Sequence, residues 1–403
     1  MNRQGLAAIL LLALLGMGFF IITNCGGTPL VNTTSTNENK VWQNVGLPGF
    51  SLNNVSNVSL FVYNGTPYVA YKETSIESSG FSVDYARVMK YNGSSWESVG
   101  DPAYCPKANN FVSLFICNGI PYLGTGEQSN GDTMGYFKAA VLKFENGSWE
   151  SIGGNPGFSA GGTGYGDLFV DNGVPFLAYY DVVNSNGCVA KYNGITWESV
   201  GSPNFSGSEA QHNFSLYVYN GIPYLAYRHD PSNEVSVIKY NGSSWENVGS
   251  PAFSAGAGTY LSLYVYNGTP YVAFAEDHYY PNPASQQELI SEATLMKFNG
   301  TSWEYVGKPG FSDGQARFVS LSIDNDTPYV AYVDDSLLGF SRASLMKFNG
   351  SSWDYVGSRG FSSGGTSNGV SDTSLSIFNG IPYIAFRDLN QAGKITVMKF
   401  APQ

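Results

Sequence analysis

The sequence predicts an all-β, seven-bladed β-propeller of four-stranded antiparallel blades, on three observations. An apolar–turn–aromatic segment, SLFVYNGTPYVAY at 59–71, recurs from Ser113, Asp167, Ser215, Ser262, Ser320 and Ser374. A second segment, VMKYNGSSWESVG at 88–100, follows it, and Trp96, Trp149, Trp197, Trp245, Trp303 and Trp353 mark six full copies. The seventh copy stops at VMKF, 397–400, and its missing strand stands at the front of the chain, in VWQNVG around Trp42. A repeat of about 50 residues that ends mid-unit and is completed by the N-terminus describes a closed ring.

The elements follow in order. Arg3 precedes a charge-free run from Gly5 to Ile22, which ends in Thr23-Asn24-Cys25-Gly26-Gly27. A basic start and an apolar core mark an export signal. The segment resembles a bacterial lipoprotein signal, which implies removal of residues 1–24 and acylation of Cys25, with Asn24 standing where the family usually has Gly, Ala or Ser. The apolar run, at about 18 residues, also has the length of a retained membrane helix, and ordinary cleavage is the third alternative. Each places the rest of the chain outside the cytoplasm, at a bacterial cell surface or in a periplasm. Residues 25–40 are polar and without apolar period, a flexible tether. Residues 41–403 form one domain, because a ring cannot be divided without opening it.

Within blade one, Ser59–Asn64, Pro67–Lys72, Val88–Tyr91 and Trp96–Val99 read as strands. Asn64-Gly65 and Asn92-Gly93 supply the positive backbone angles of tight hairpins. Strands apolar on both faces suit a blade sandwiched between two others. A turn centred after Gly93 pairs Tyr91 with Trp96 and Lys90 with Glu97. The pairing recurs from Lys143, Lys191, Lys239, Lys297 and Lys347 to Glu150, Glu198, Glu246, Glu304 and Asp354, whereas Lys399 meets Gln43. One aromatic per link between blades (Phe50, Tyr104, Phe158, Phe205, Phe253, Phe311, Phe361) reads as an inter-blade wedge.

Alternation of turns puts every Asn-Gly connection on one face and all length variation on the other. The second-to-third-strand loop runs from a few residues in blade three (Asp181–Gly187) to nearly twenty in blade five (Ala275–Ala293). Binding usually resides in variable loops on a rigid scaffold, so the loop face is the candidate site. Three features converge there. The second strands end in Glu73, Glu127, Asp181, His229, Glu276, Asp334 and Asp388, six carboxylates in seven positions; such a ring suits a cation or basic ligand, or, more simply, accepts bonds from loop N–H groups. Blade five carries Glu276-Asp277-His278-Tyr279-Tyr280, beside Arg228, His229 and Asp230 of blade four, and Ser285-x-x-Glu288 has capping-box spacing for a short helix over 285–293. Arg228, Arg387 and Lys72 stand one position before the ring, where they would neutralise it.

Charge and cysteines narrow the function. Without Arg3 the chain has 19 basic and 31 acidic residues, net −12, which argues against nucleic acid. Beyond Cys25 only Cys105, Cys117 and Cys188 remain, an odd number without paired spacing, so no metal finger is expected; a Cys105–Cys117 bridge and buried free thiols are the alternatives. The three histidines, His212, His229 and His278, lack metal-ligand spacing, and no nucleophile elbow or phosphate-cradling loop occurs. The carboxylate pairs Glu276/Asp277 and Asp334/Asp335 are adjacent and point apart. No catalytic residue, metal site or cofactor is therefore assigned. A calcium adhesin has only Asp181–Gly187, a distant echo of a calcium loop, in its favour.

The Gly-x-x-Trp hairpin resembles the Asp-box turn of sialidases, with Asn92 in front of the glycine and the box's Ser and Asp missing. More broadly, VMKYNGSSWESVGxxxFS followed by SLxVxNGxPYVAYxD resembles the propeller repeats of exported bacterial proteins over about 41–400. That resemblance implies a surface or secreted propeller with no established chemistry. The expectation is a monomeric, membrane-tethered, non-enzymatic binding propeller with a glycan or protein ligand on the loop face at Arg228, His229, Asp230, Glu276, Asp277, His278, Tyr279 and Tyr280. The alternative is a carbohydrate-active hydrolase or lyase using the same face.

Overall fold

The structure, a computed structural model, describes residues 39–78, 80–101, 111–128, 137–154, 157–202, 214–229, 231–282, 286–336, 340–362 and 369–403. The leader, Cys25 and most of the tether lie outside these residues, as do Tyr104, Cys105, Phe205, His212, Asp230 and Ser285.

Seven four-stranded antiparallel sheets account for all 28 strands of the described chain. Blade one is β2 (Val55–Tyr63), β3 (Thr66–Ile76), β4 (Ser82–Tyr91) and β5 (Trp96–Ser98). Blade two is β6 (Val112–Cys117), β7 (Ile120–Gln128), β8 (Phe137–Glu145) and β9 (Ser148–Ser151). Blade three is β10 (Thr163–Asp171), β11 (Val174–Asp181), β12 (Asn186–Tyr192) and β13 (Trp197–Ser199). Blade four is β14 (Phe214–Tyr219), β15 (Ile222–His229), β16 (Glu234–Tyr240) and β17 (Trp245–Asn247). Blade five is β18 (Gly258–Tyr266), β19 (Thr269–Asn282), β20 (Gln286–Phe298) and β21 (Trp303–Tyr305). Blade six is β22 (Ala316–Asp324), β23 (Thr327–Asp334), β24 (Arg342–Phe348) and β25 (Trp353–Tyr355). Blade seven joins β26 (Val370–Phe378), β27 (Ile381–Asp388) and β28 (Lys394–Pro402) to β1 (Lys40–Asn44) from the other end of the chain.

Closure follows the predicted register, with Trp42 opposite Phe400 and Gln43 opposite Lys399. First strands touch in cyclic order, β2 to β6 and on to β26, which returns to β2. The described turns between first and second strands place Asn, then Gly, at positive φ, the type I′ geometry that matches strand twist; blade six uses Asn325-Asp326 instead. All six predicted lysine–carboxylate registers are present. Lys90–Glu97, Lys239–Glu246 and Lys297–Glu304 close at 3.2 Å, while Lys143 turns to Glu145 at 2.8 Å.

Three sets of contacts bind each blade to the next. Seven apolar clusters fill the gaps, each drawn from two adjacent blades; full burial of each Val, Leu or Phe contributes about 1.5–3 kcal/mol. Near the axis, the backbone N–H of a leucine in each first strand donates to the side chain of the preceding blade's repeat-initial residue. That acceptor is a serine hydroxyl in six blades and Asp167 in blade three, at 2.8–3.1 Å. At the rim, all seven tryptophans donate Nε1–H to a carbonyl of the preceding outer segment, at 2.6–2.9 Å.

The rim contact explains the terminal glycine of WESVG. Gly46, Gly100, Gly153, Gly201, Gly249, Gly307 and Gly357 have φ of +69° to +85°, and a Cβ on any of them would come within 2.6–3.0 Å of the next blade's indole or its aromatic neighbour. The wedge series takes the other side of the indole. Phe50, Phe158, Phe253, Phe311 and Phe361 stack on Trp96, Trp197, Trp303, Trp353 and Trp42 with centroids 3.6–4.3 Å apart.

Two expectations change. A helix over 285–293 does not form: β19 and β20 pair continuously from Tyr271–Lys297 to Asn282–Gln286, so Glu288 sits opposite Tyr280 in a projecting hairpin. Ser285-x-x-Glu288 offers a capping box, but propagating a ladder already set by the blade adds hydrogen bonds without the cost of nucleating a short helix. The open cysteine question is partly resolved, since Cys117 is disulfide-bonded and Cys188 is a free thiol.

Candidate functional site

The carboxylates at the shared second-strand position are turned into the protein, although β3 and β19 run on beyond Glu73 and Glu276. Glu73 accepts the Asn53 N–H, Glu127 that of Gly157, Asp181 those of Val183 and Asn184, Glu276 those of Ala255 and Gly256, Asp334 that of Ser336 and Asp388 that of Asn390. They tie down the loops, the simpler of the two expected roles. Burial pushes the Glu127 and Asp388 carboxyls above their ordinary range, against those same hydrogen bonds.

Neutralisation comes from other residues than expected. Lys72 pairs with Asp84 at 3.1 Å, and Arg387 donates to Asn54. Consecutive strand residues point to opposite faces, so a cation one position before the ring faces away from it. Instead Arg87 reaches Glu73 at 3.1 Å and Arg359 forks onto Asp334 at 2.7 and 3.2 Å. Asp335, pointing away from Asp334, pairs with Arg317.

The blade-five hairpin divides the predicted residues. Glu276 is fully enclosed, and besides its loop bonds it accepts from Thr294 Oγ1 and Tyr305. These bonds tie it to the scaffold. Asp277 accepts from Ser291 Oγ, and Tyr280 donates its hydroxyl to Glu292; that bond, more than burial, pushes the Tyr280 phenol up to about 12. His278 Nε2 lies 3.3 Å from Glu276 Oε2 but is not aligned for a hydrogen bond. Tyr279 is 68% exposed, Tyr280 39% and Leu289 51%, so the hairpin presents an apolar–aromatic tip. Arg228 and His229 close β15 opposite Val235 and Glu234. Among the described residues no hydrogen bond or ion pair joins them to the hairpin, and His229 Nδ1 is buried without a partner.

A second set of residues, absent from the sequence reading, meets on the axis. In blades one, three, five, six and seven the first strand bulges, two of its residues facing one on the second strand. In four of them the bulge puts Asn57, Tyr260, Phe318 and Asp372 at φ of +52° to +55°. A cavity of about 250 Å³ lies here, lined from six blades by Asn57, Phe111, Tyr165, Phe214, Phe318 and Asp372 among others. The signal was faint: most of these residues stand two before the repeat-initial Ser or Asp and Phe214 stands one before it, they vary from blade to blade, and a bulge leaves no mark in hydrophobic alternation. Among the described residues, no group of three or more His, Cys, Asp or Glu is placed to hold a metal, and no helix is long and apolar enough to cross a membrane.

No protein-family model matches the sequence, and no curated protein matches it. Among solved structures, polysaccharide lyase Uly1 is similar with a TM-score of 0.52 and 13% identity, over 86% of this chain and 90% of that one. The SapL1 lectin, in complex with α-methyl fucoside, superposes with a TM-score of 0.48 and 12% identity, over 77% of this chain and 97% of that one. Trypanosoma rangeli sialidase in complex with sialic acid gives 0.43 and 12%, over 75% of this chain and 53% of that one. At such identities, the likeness to the lyase speaks for the propeller fold alone.

Proposed function

We propose that the chain is a non-enzymatic glycan-binding propeller, held outside the cytoplasm of a bacterium through an acylated Cys25, with its ligand on the loop face. The observation that carries the binding site is the blade-five hairpin. It runs to 14 and 13 residues where the corresponding strands of blade three have 8 and 7, and it displays Tyr279 and Tyr280 beyond the ring. Exposed tyrosines on a rigid ladder offer a flat face to sugar C–H groups and a hydroxyl to their oxygens at little entropic cost. That the fold is also found in a polysaccharide lyase accords with this ligand class.

The test is a glycan array, with and without calcium, on the mature protein and on a variant in which Asn-Gly replaces residues 279–289. His278 and Ile290 are cross-strand partners, so the shortened hairpin closes on a type I′ turn, and buried Ala275, Glu276 and Ala293 stay in place. Loss of array binding in the variant, with an unchanged melting midpoint, is expected. Full retention, with loss after changes at Lys90 and Glu97, would move the site to the turn face.

A polysaccharide lyase or hydrolase is the second reading, favoured by one acid–base pair on the hairpin, Tyr280 bonded to Glu292. It requires release of unsaturated or reducing ends from a polysaccharide that the array shows bound; binding without release excludes it.

A further inference from the structure

We infer that the loop-side mouth of the propeller axis is a subsite for one neutral sugar ring; the proposal rests on the glycan reading above and names where the chain end or side branch enters. The cavity's lining comes from blades one, two, three, four, six and seven, and residues of so many blades meet only on the axis. At about 250 Å³ it is smaller than the roughly 300–1,000 Å³ pockets that take drug-sized ligands, and suits a single ring.

Its lining is built at a conformational cost. Phe318 stands at φ +52° and Asp372 at φ +55°, in a region that non-glycine residues, bulky ones above all, rarely enter. Bulges re-aim side chains, and strain of this kind is retained where neighbouring contacts over-determine it. Here those contacts are explicit. Asp372 Oδ1 accepts the Asn57 N–H at 3.0 Å, Thr373 Oγ1 donates to the Phe318 carbonyl, and the Phe318 ring packs on Tyr260 with centroids 4.8 Å apart.

The charges disfavour an anion, and a cation of the protein itself already occupies the Phe318 face. Arg317 forks onto Asp335 and holds its guanidinium 5.8 Å from the Phe318 ring centre, so that face of the ring already has its cation. An ammonium ligand would compete with Arg317, and an anion would meet Asp372. Asp372 accepts from Asn57 N and Ser371 Oγ, and its two oxygens keep lone pairs for a sugar hydroxyl. Phe111, Phe214 and Phe318 supply apolar surface for the C–H face of a pyranose, while Asn57, Tyr165 and Asp372 supply polar atoms for its rim.

The experiment is calorimetric titration of the mature protein with methyl glycosides of glucose, galactose, mannose and fucose, alongside glucuronic acid and tetramethylammonium. At least one neutral glycoside is expected to bind in preference to both charged probes. Phe214→Ala and Asp372→Asn should each weaken it tenfold or more, and Lys90→Ala on the opposite face should not change it. Phe214 carries no strained φ, and Asn at 372 retains an acceptor for Asn57, so both variants test the site in a folded ring. Preferential binding of a charged probe, absence of neutral binding, or unchanged affinity in both variants overturns the subsite. The glycan array separates this failure from that of the broader reading: array binding that survives in both variants leaves a glycan propeller with its site elsewhere, whereas a silent array removes both.

Discussion

Trp42 Nε1 donates to the carbonyl oxygen of Val356 at 2.9 Å, across 314 positions of sequence. The same bond recurs at every blade boundary, but only here does it join the two ends of the chain. Stacked on Phe361 at 3.6 Å, the indole fills the place of the tryptophan that the seventh repeat lacks. Ring closure therefore adds this side-chain lock to the ladder between β1 and β28.

Trp42→Ala should accordingly cost about 3–5 kcal/mol, the range for removing a packed aromatic. Trp42→Phe should cost about 1–3 kcal/mol, because it keeps most of the ring but leaves the Val356 carbonyl without its donor. Denaturant midpoints measure both. Deleting 41–46 should destabilise beyond either, and an unchanged midpoint would show that blade seven does not need its borrowed strand.

The glycine after Val356 tests the same lock from its other side. Gly357 sits at φ +77° with a would-be Cβ 2.8 Å from Trp42 Nε1, whereas Gly350, at φ +99°, has nothing within 4 Å. Gly350→Ala should cost only its backbone strain, about 1–2 kcal/mol. Gly357→Ala carries the strain and the displaced indole together, so it should lose clearly more in thermal melts. Equal losses would mean that the indole moves aside freely.

The architecture was readable because the repeat states it seven times, and because Asn-Gly turns determine which residues stand opposite. Lys90 facing Glu97 follows from turn position, and Trp42 facing Phe400 from aligning VWQNVG with the outer strands of the other six repeats. The Nε1 bonds were not readable, since which atom of the preceding blade meets the indole depends on inter-blade rotation. The hairpin tip was misjudged because Ser285-x-x-Glu288 satisfies a local helix rule, while a ladder begun at Tyr271 and Lys297 outweighs it. The axial cavity was missed for a related reason. Asn57, Tyr260, Phe318 and Asp372 share a bulge, not a residue type, and only the observed register shows them as equivalents. Glu276 was correctly placed at the loop face, but its direction, inward, needed the structure.

Glu276→Gln separates scaffold from site. Oε1 accepts Ala255 N at 2.9 Å and Gly256 N at 3.3 Å, while Oε2 takes Thr294 Oγ1 at 3.1 Å. An amide can keep only one side of this arrangement, and a buried donor left without a partner costs about 1–3 kcal/mol. The expected outcome is a lower melting midpoint with unchanged affinity for any glycan the array identifies. Lost affinity at full stability would return Glu276 to the binding surface.

Asp167 offers a pH test of the inner ring. It occupies the position that serine holds in the other six blades, and accepts from Ser113 Oγ at 3.0 Å, Ser215 Oγ at 3.3 Å and Leu216 N at 2.8 Å. Desolvation nonetheless pushes its carboxyl above the usual 3.8. The folded state then keeps a proton that the unfolded chain has lost. Stability from this group should fall as pH rises from near 3.8 through the raised folded value, and stay lower above it. Asp167→Ser supplies the hydroxyl that accepts the leucine N–H elsewhere in the ring, and Asp167→Asn keeps the shape without the charge. Both should flatten that slope, so that their stability relative to wild type improves between pH 4 and pH 7 in denaturant titrations. A difference that stays constant over this interval would show that Asp167 ionises alike in both states, its hydrogen bonds having fully replaced the lost hydration.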